Sequence, residues 1–207
     1  MYINKYKILI AVLLILISST SGFAQKDPEI EVRSKRDKSF RLYIGGGISY
    51  YTATINQPTG QKINVTRTSP ATTIRVMWFP QYRLRIGLES GKTTFYSYDL
   101  KNGNNYGKLR LTAVPVLVTW SMPVLKRLNI YAGFGSYFLT THLDYLGKVN
   151  SKSVSLGSNF ALAYQQPVSK KLQLAAEVKW MNAFVTKNAA VSAQLQLAWK
   201  FWEWSSL

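Results

Sequence analysis

The chain's only histidine, His142, stands in the stretch Thr140-Thr141-His142-Leu143-Asp144. Asp144 is two residues on, so an extended backbone places ring and carboxylate on one side, which is half of what a serine hydrolase or acyltransferase needs. The other half is a hydroxyl within reach of the imidazole. Ser136 lies six residues upstream, and no recognisable motif surrounds it. One His and one Asp are also too few to hold a metal, and with no cysteine there is no thiolate catalysis, disulfide or sulfur-ligated centre. His142 therefore reads as an ordinary residue of a loop, and the chain as a non-enzyme without metal or cofactor.

A second constellation is larger. Arg41, Arg75, Arg85, Lys179 and Lys200 fall on the same side of alternating segments as Glu89 and Glu177, five cations against two carboxylates. A ring of cations could favour anions in a narrow pore. The alternative is a salt-bridged plug, because buried charges must be paired or hydrogen-bonded and a small barrel interior is filled by side chains. Packing favours the plug. Glu89 and Glu177 are then expected to pair with Arg75, Arg85 or Lys179, while the outermost cations stay partly hydrated.

The elements that carry these charges are strands. Eight segments alternate with period two: 40–52, 72–79, 83–96, 109–120, 128–138, 154–164, 172–180 and 190–201. In the last, Val191, Ala193, Leu195, Leu197, Trp199 and Phe201 oppose Ser192, Gln194, Gln196, Ala198 and Lys200. The bulky face could line the cavity of a soluble barrel or meet lipid on the outside of a membrane barrel. The opposite face decides. It carries Gly45, Gly47, Gly87, Gly133, Gly135 and Gly157 with several Ala, residues that weaken a solvated strand but fit a crowded interior. The bulky face is therefore expected to look outward.

Connection lengths alternate too. Residues 80–82, 121–126 and 165–171 are short and contain Pro, whereas 53–71, 97–108, 140–152 and 182–188 are longer on average and rich in Asn, Thr, Gly and Lys. This is the asymmetry of an outer-membrane barrel, short turns periplasmic and long loops extracellular. Outward aromatics segregate to strand ends as two girdles. Phe40, Trp78, Trp120, Tyr164, Trp199 and Phe201 fall at the turn end, and Tyr50, Tyr96, Phe138 and Trp180 at the loop end. A β-sandwich core does not predict that segregation.

The N-terminus sets the compartment. Lys5 and Lys7 precede ten apolar residues, Ile8 to Ile17, and a small polar stretch ends at Ala24. This reads as a secretory signal over 1–24, since a membrane-spanning helix needs about 20 apolar residues. Residues 25–38 are a charged tether of mixed sign, expected in the periplasm, and 39–204 are the barrel. The net charge of +17 is scattered, and export from the cytoplasm argues against nucleic acid as a partner.

The mature chain resembles the small bacterial outer-membrane β-barrel domain family, OmpA/OmpX-like in size and similar to PorT-like barrels. The resemblance rests on Tyr43-Ile44-Gly45-Gly46-Gly47, on Ala113-Val114-Pro115-Val116-Leu117-Val118, on Asn129-Ile130-Tyr131-Ala132-Gly133-Phe134-Gly135, and on the aromatic-ended last strand. The chain departs from the family's terminal Phe by continuing through Trp202-Glu203-Trp204-Ser205-Ser206-Leu207. The resemblance implies an eight-stranded antiparallel up-and-down transmembrane barrel, monomeric, in contact with outer-membrane lipid and inserted by the barrel-assembly machinery. Such barrels include adhesion-related and structural proteins, components of secretion and gliding systems, and a few lipid-modifying enzymes. The expectation is a structural or interaction role in the Gram-negative cell envelope, with envelope or secretion-system proteins as partners. A porin-like narrow conduit for anions or small apolar molecules is the alternative, and a lipid-modifying enzyme the third.

Overall fold

The computed structural model describes residues 38–53, 64–80, 83–102, 105–144 and 147–204. The expected signal segment and all of the tether but Lys38 lie outside the described residues. Among the described residues nine strands follow in order: β1 (Lys38–Tyr51), β2 (Asn64–Thr66), β3 (Thr68–Phe79), β4 (Arg85–Asn102), β5 (Asn105–Pro123), β6 (Leu128–Asp144), β7 (Lys148–Pro167), β8 (Leu172–Ala183) and β9 (Asn188–Trp204).

All pairings are antiparallel, and β1 closes on β9 from Lys38↔Trp204 to Tyr51↔Ala190. With β4 paired to both β3 and β5, eight strands form a closed ring, and β2 lies outside it on the far part of β4, Asn64 opposite Asp99. A closed ring leaves no sheet edge around the barrel wall, which is the condition for crossing a bilayer with strands. Where β1 begins and β9 ends, the short connections 124–127 and 168–171 also lie.

The wall is turned inside out relative to a soluble protein. Along β9, Ala190, Ser192, Gln194, Gln196 and Ala198 are buried, while Leu195 is 72% exposed and Val191, Leu197 and Trp199 lie bare beside it. The other strands repeat the pattern, with Ile44, Ile48, Leu88, Phe134, Phe160 and Val178 all exposed. Apolar outside and polar inside is the partition a bilayer imposes. The glycines on the inner face serve close approach. A Cβ on Gly47 would run into the Ala193 carbonyl oxygen and the Gln194 backbone, and one on Gly133 into the side chains of Asn159 and Thr119.

The far rim differs from its expected form. Residues 97–108 and 140–152 read as loops by composition, yet β4–β5 pairing continues to Asn102↔Asn105 and β6–β7 pairing to Asp144↔Lys148. Backbone ladder bonds carry the described parts of these polar stretches, so their composition does not mark irregular structure. On the other side of the ring the strands stop early. A four-residue turn, 184–187, joins β8 to β9 through Lys187 at φ 52°, and β7–β8 pairing ends at Gly157↔Ala183. So β4 to β7 stand as a raised sheet beyond a rim that β8, β9 and β1 leave low.

Candidate functional site

Arg75 on β3 and Glu89 on β4 are register partners, so their side chains leave the wall together. Glu177 and Lys179 are two residues apart on β8 and therefore share its inner face. The small interior brings the two pairs into one ring. Arg75 Nε meets Glu89 Oε2 at 2.6 Å and its Nη1 meets Glu177 Oε2 at 2.9 Å. Lys179 Nζ lies 2.6 Å from Glu89 Oε1 and 3.2 Å from Glu177 Oε1.

Two cations and two carboxylates thus alternate, each touching both opposites, and the sum of charge is zero. All four side chains are at most 2% exposed. Remaining hydrogen-bond capacity is used as well: Lys179 donates to Thr73 Oγ1 at 2.9 Å, and Asn159 Nδ2 donates to Glu89 Oε1 at 2.8 Å. The Arg75 guanidinium also lies over the Tyr131 ring, 4.2 Å from its centroid.

Toward the raised hairpins this quartet is capped by an apolar cluster that includes Tyr51, Phe95, Leu111, Leu117, Tyr137, Leu139 and Met181. Toward the turns lie Tyr43, Met77, Phe79 and Tyr131 with three alanines. Gln165 Nε2 donates to the Tyr131 hydroxyl at 2.6 Å and bridges toward Tyr43 at 3.5 Å. The described interior is thus layered, apolar, charged and aromatic in turn.

The three other cations of the sequence constellation take different partners. Arg85 pairs with neither carboxylate. It donates to Asn129 Oδ1 at 2.8 Å, and its guanidinium lies 4.4 Å from the Phe79 ring centroid. Arg41 covers the same ring at 4.0 Å and donates to Gln173 Oε1 at 3.1 Å. Phe79 is therefore held between two guanidiniums, a cation–π arrangement that involves no anion and leaves Arg41 Nε without a partner. Lys200, at the mouth of the barrel, bonds Glu203 at 2.5 Å and keeps 19% of its side chain exposed. Phe79 is absent from the sequence constellation, although the outward Trp78 beside it gives its direction by parity. Thr73 follows from Arg75 in the same way.

The outward aromatics lie at strand ends with one exception. Trp78, Trp120, Tyr164, Trp199 and Phe201 are exposed near the turn end, and Phe40 stacks on Phe201 with ring centroids 6.2 Å apart. Tyr50, Phe138 and Trp180 are exposed toward the other end. Tyr96 is the correction. A bulge between Thr94 and Tyr96 inserts Phe95 into the ladder and reverses the parity beyond it, so Tyr96 pairs opposite buried Leu111. It packs on Tyr51 and Tyr98, at 5.0 and 6.1 Å between centroids, and is not part of the outer girdle.

His142 lies on strand β6, not in a loop, and its Nδ1 is 2.7 Å from Asn150 Oδ1 on β7. Its partner in the ladder on the other side is Arg110. Among the described residues, no group of three or more His, Asp or Glu side chains is placed to hold a metal.

No protein-family model matches the chain, and no curated protein sequence does. Solved structures do match. The attachment invasion locus protein Ail of Yersinia pestis, in complex with the heparin analogue sucrose octasulfate, aligns with a TM-score of 0.50 at 7% identity, covering 80% of this chain and 99% of Ail. A major outer membrane protein of Thermus thermophilus aligns with a TM-score of 0.51 at 15% identity, covering 79% of this chain and 99% of that one. At such identities the likeness is one of fold. The chain has the architecture of small outer-membrane β-barrels.

Proposed function

We propose that this chain is a non-enzymatic barrel of the Gram-negative outer membrane, with a structural or interaction role exercised through its surfaces and not through its lumen. The observation that carries this reading is the layered interior: a neutral, buried charge quartet sits between two clusters of packed aromatic and aliphatic side chains. Work that cannot pass through the barrel must happen on it. Among the described residues, the raised sheet of β4 to β7 projects beyond the wall and is the natural place for contacts with envelope or secretion-system proteins.

In this reading the termini and short turns are periplasmic and the raised hairpins extracellular, as connection lengths in outer-membrane barrels have it. The test is twofold. In planar bilayers the unmutated protein is expected to show no steady conductance; a steady anion-selective current abolished by Arg85→Ala rejects the plug and establishes a conduit. Co-purification from native membranes is expected to yield envelope proteins whose capture depends on the raised hairpins. A change in lipid composition that depends on the protein, seen by lipid mass spectrometry, overturns the non-enzymatic reading.

A further inference from the structure

The raised sheet carries its charge on one face. Alternation along β5 turns Leu109, Leu111 and Ala113 to the inside and leaves Lys108 and Arg110 exposed on the outside, above the lipid-facing Val114, with Thr112 buried between its neighbours. Register extends those outward positions sideways. Arg110 pairs with His142 and His142 with Asn150, and in the next row out Lys108 pairs with Asp144 and Asp144 with Lys148. These six residues, with Leu143, line a notch of ≈ 310 Å³ on the outer wall. Three cations face one carboxylate there, and the His142 to Asn150 hydrogen bond fixes the ring in the floor. One row nearer the barrel, Thr112 and Thr140 are flanked by Lys152, and the row after that is the exposed apolar set Val114, Phe138 and Val154.

Position selects the ligand. Arg110 is four residues beyond Val114, about 13 Å along a strand at roughly 3.4 Å per residue. Strands of such barrels tilt by about 35–45°, so the rise above the Val114–Phe138 row is about 10 Å. Phe138 belongs to the aromatic rim of the hydrocarbon, which puts the notch at the level of the lipid headgroups, on the side that faces lipid. A cavity with a surplus of two positive charges, open toward the membrane plane and directly over an acyl-contacting surface, is complementary to a phosphate held at the top of a lipid.

We propose that this notch binds the phosphorylated headgroup of an outer-leaflet lipid, with Arg110, Lys108 and Lys148 on the phosphate and Lys152 at its lower edge. The proposal rests on the membrane placement given under Proposed function. The test reconstitutes the full-length chain in phosphatidylcholine nanodiscs containing diphosphorylated lipid A or its phosphate-free counterpart, and counts retained lipid by native mass spectrometry. Arg110→Gln with Lys148→Gln is compared with Lys170→Gln with Lys171→Gln, which removes equal charge from exposed positions at the opposite end of the barrel.

The expected result is retention of diphosphorylated lipid A by the parent, weakened at least tenfold in the notch pair and by less than twofold in the control pair. Lys148→Gln alone, at an exposed position, reads the same effect in smaller measure. Equal losses in both pairs, undiminished retention in the notch pair, or equal retention of the phosphate-free lipid overturns the proposal. Inorganic phosphate that competes as well as the lipid assigns the notch to a free anion and overturns the lipid source. Heat-modifiable gel mobility and protease access to the hairpins separate the two readings. A barrel that inserts with its hairpins accessible but retains no lipid A fails only this inference, whereas one that does not insert fails the membrane placement itself.

Discussion

Replacing Glu177 by glutamine keeps the shape of the side chain and removes one charge from the quartet. Arg75, Lys179 and Glu89 then sum to one uncompensated positive charge in a space at most 2% exposed. Three contacts are weakened, at 2.9 and 3.2 Å to Arg75 and 3.2 Å to Lys179. At an effective dielectric of about 20, a unit pair at about 3 Å is worth about 5 kcal/mol, and relief of repulsion between the two carboxylates returns part of it. A net loss of about 3–5 kcal/mol is expected, the range for breaking a buried pair by removing one partner. The discriminating comparison is Glu177→Gln with Lys179→Met, which restores neutrality around the Arg75 to Glu89 pair and should recover most of that loss. Urea unfolding in phosphatidylcholine vesicles, followed by tryptophan fluorescence and gel mobility, measures both. A single variant within about 1 kcal/mol of the parent, or a double variant no better than the single, refutes the claim that charge neutrality holds the plug together.

Three further outcomes follow from the wall and its layers. Leu195→Arg places a cation on the lipid face and is expected to cost about 2–4 kcal/mol near the midplane, with a polar label at 195 reporting lipid and one at 194 reporting the interior; the reverse labelling pattern would invert the faces. Gly133→Ala forces a methyl against Asn159 and Thr119, displacing the amide that donates to Glu89, and is expected to lower stability by about 1–3 kcal/mol in the same urea titration. Phe79→Leu keeps bulk but removes the ring between Arg41 and Arg85; a loss of about 1–3 kcal/mol is expected, and no loss would mean the two guanidiniums are held by Gln173 and Asn129 alone.

Period-two patterning showed the strands and which face carries lipid, because inner-face crowding leaves a compositional trace: Gly45 and Gly47 stand where β9 packs against them. The inward direction of Arg75, Glu89, Glu177 and Lys179 was legible for the same reason. Their mutual contact was not, since parity gives a direction and says nothing of what β3 meets across the lumen on β8. Tyr96 was misplaced because a bulge is a single-residue slip without a compositional signal, and Phe95-Tyr96 reads equally well in either phase. Strand ends failed where the residues turn polar on both faces. Residues 97–108 and 140–152 lose the alternation of hydrophobicity that marks a strand while keeping its backbone pairing.

The wiring of the quartet bears on how such a chain enters a membrane at all. Arg75 and Glu89 sit on sequential strands, 14 residues apart, and Glu177 and Lys179 are near neighbours on one strand, whereas the contacts between these pairs span 90 and 102 residues. Each pair is neutral by itself and can form as soon as its own segment is ordered. A half-built barrel therefore presents two compensated dipoles to the bilayer in place of four isolated ions, and the long-range contacts need only be added to the local ones when the ring closes. The slow, entropically costly closure of the ring is thus separated from the solvation of its charges, so that the last step of insertion trades one neutral arrangement for another.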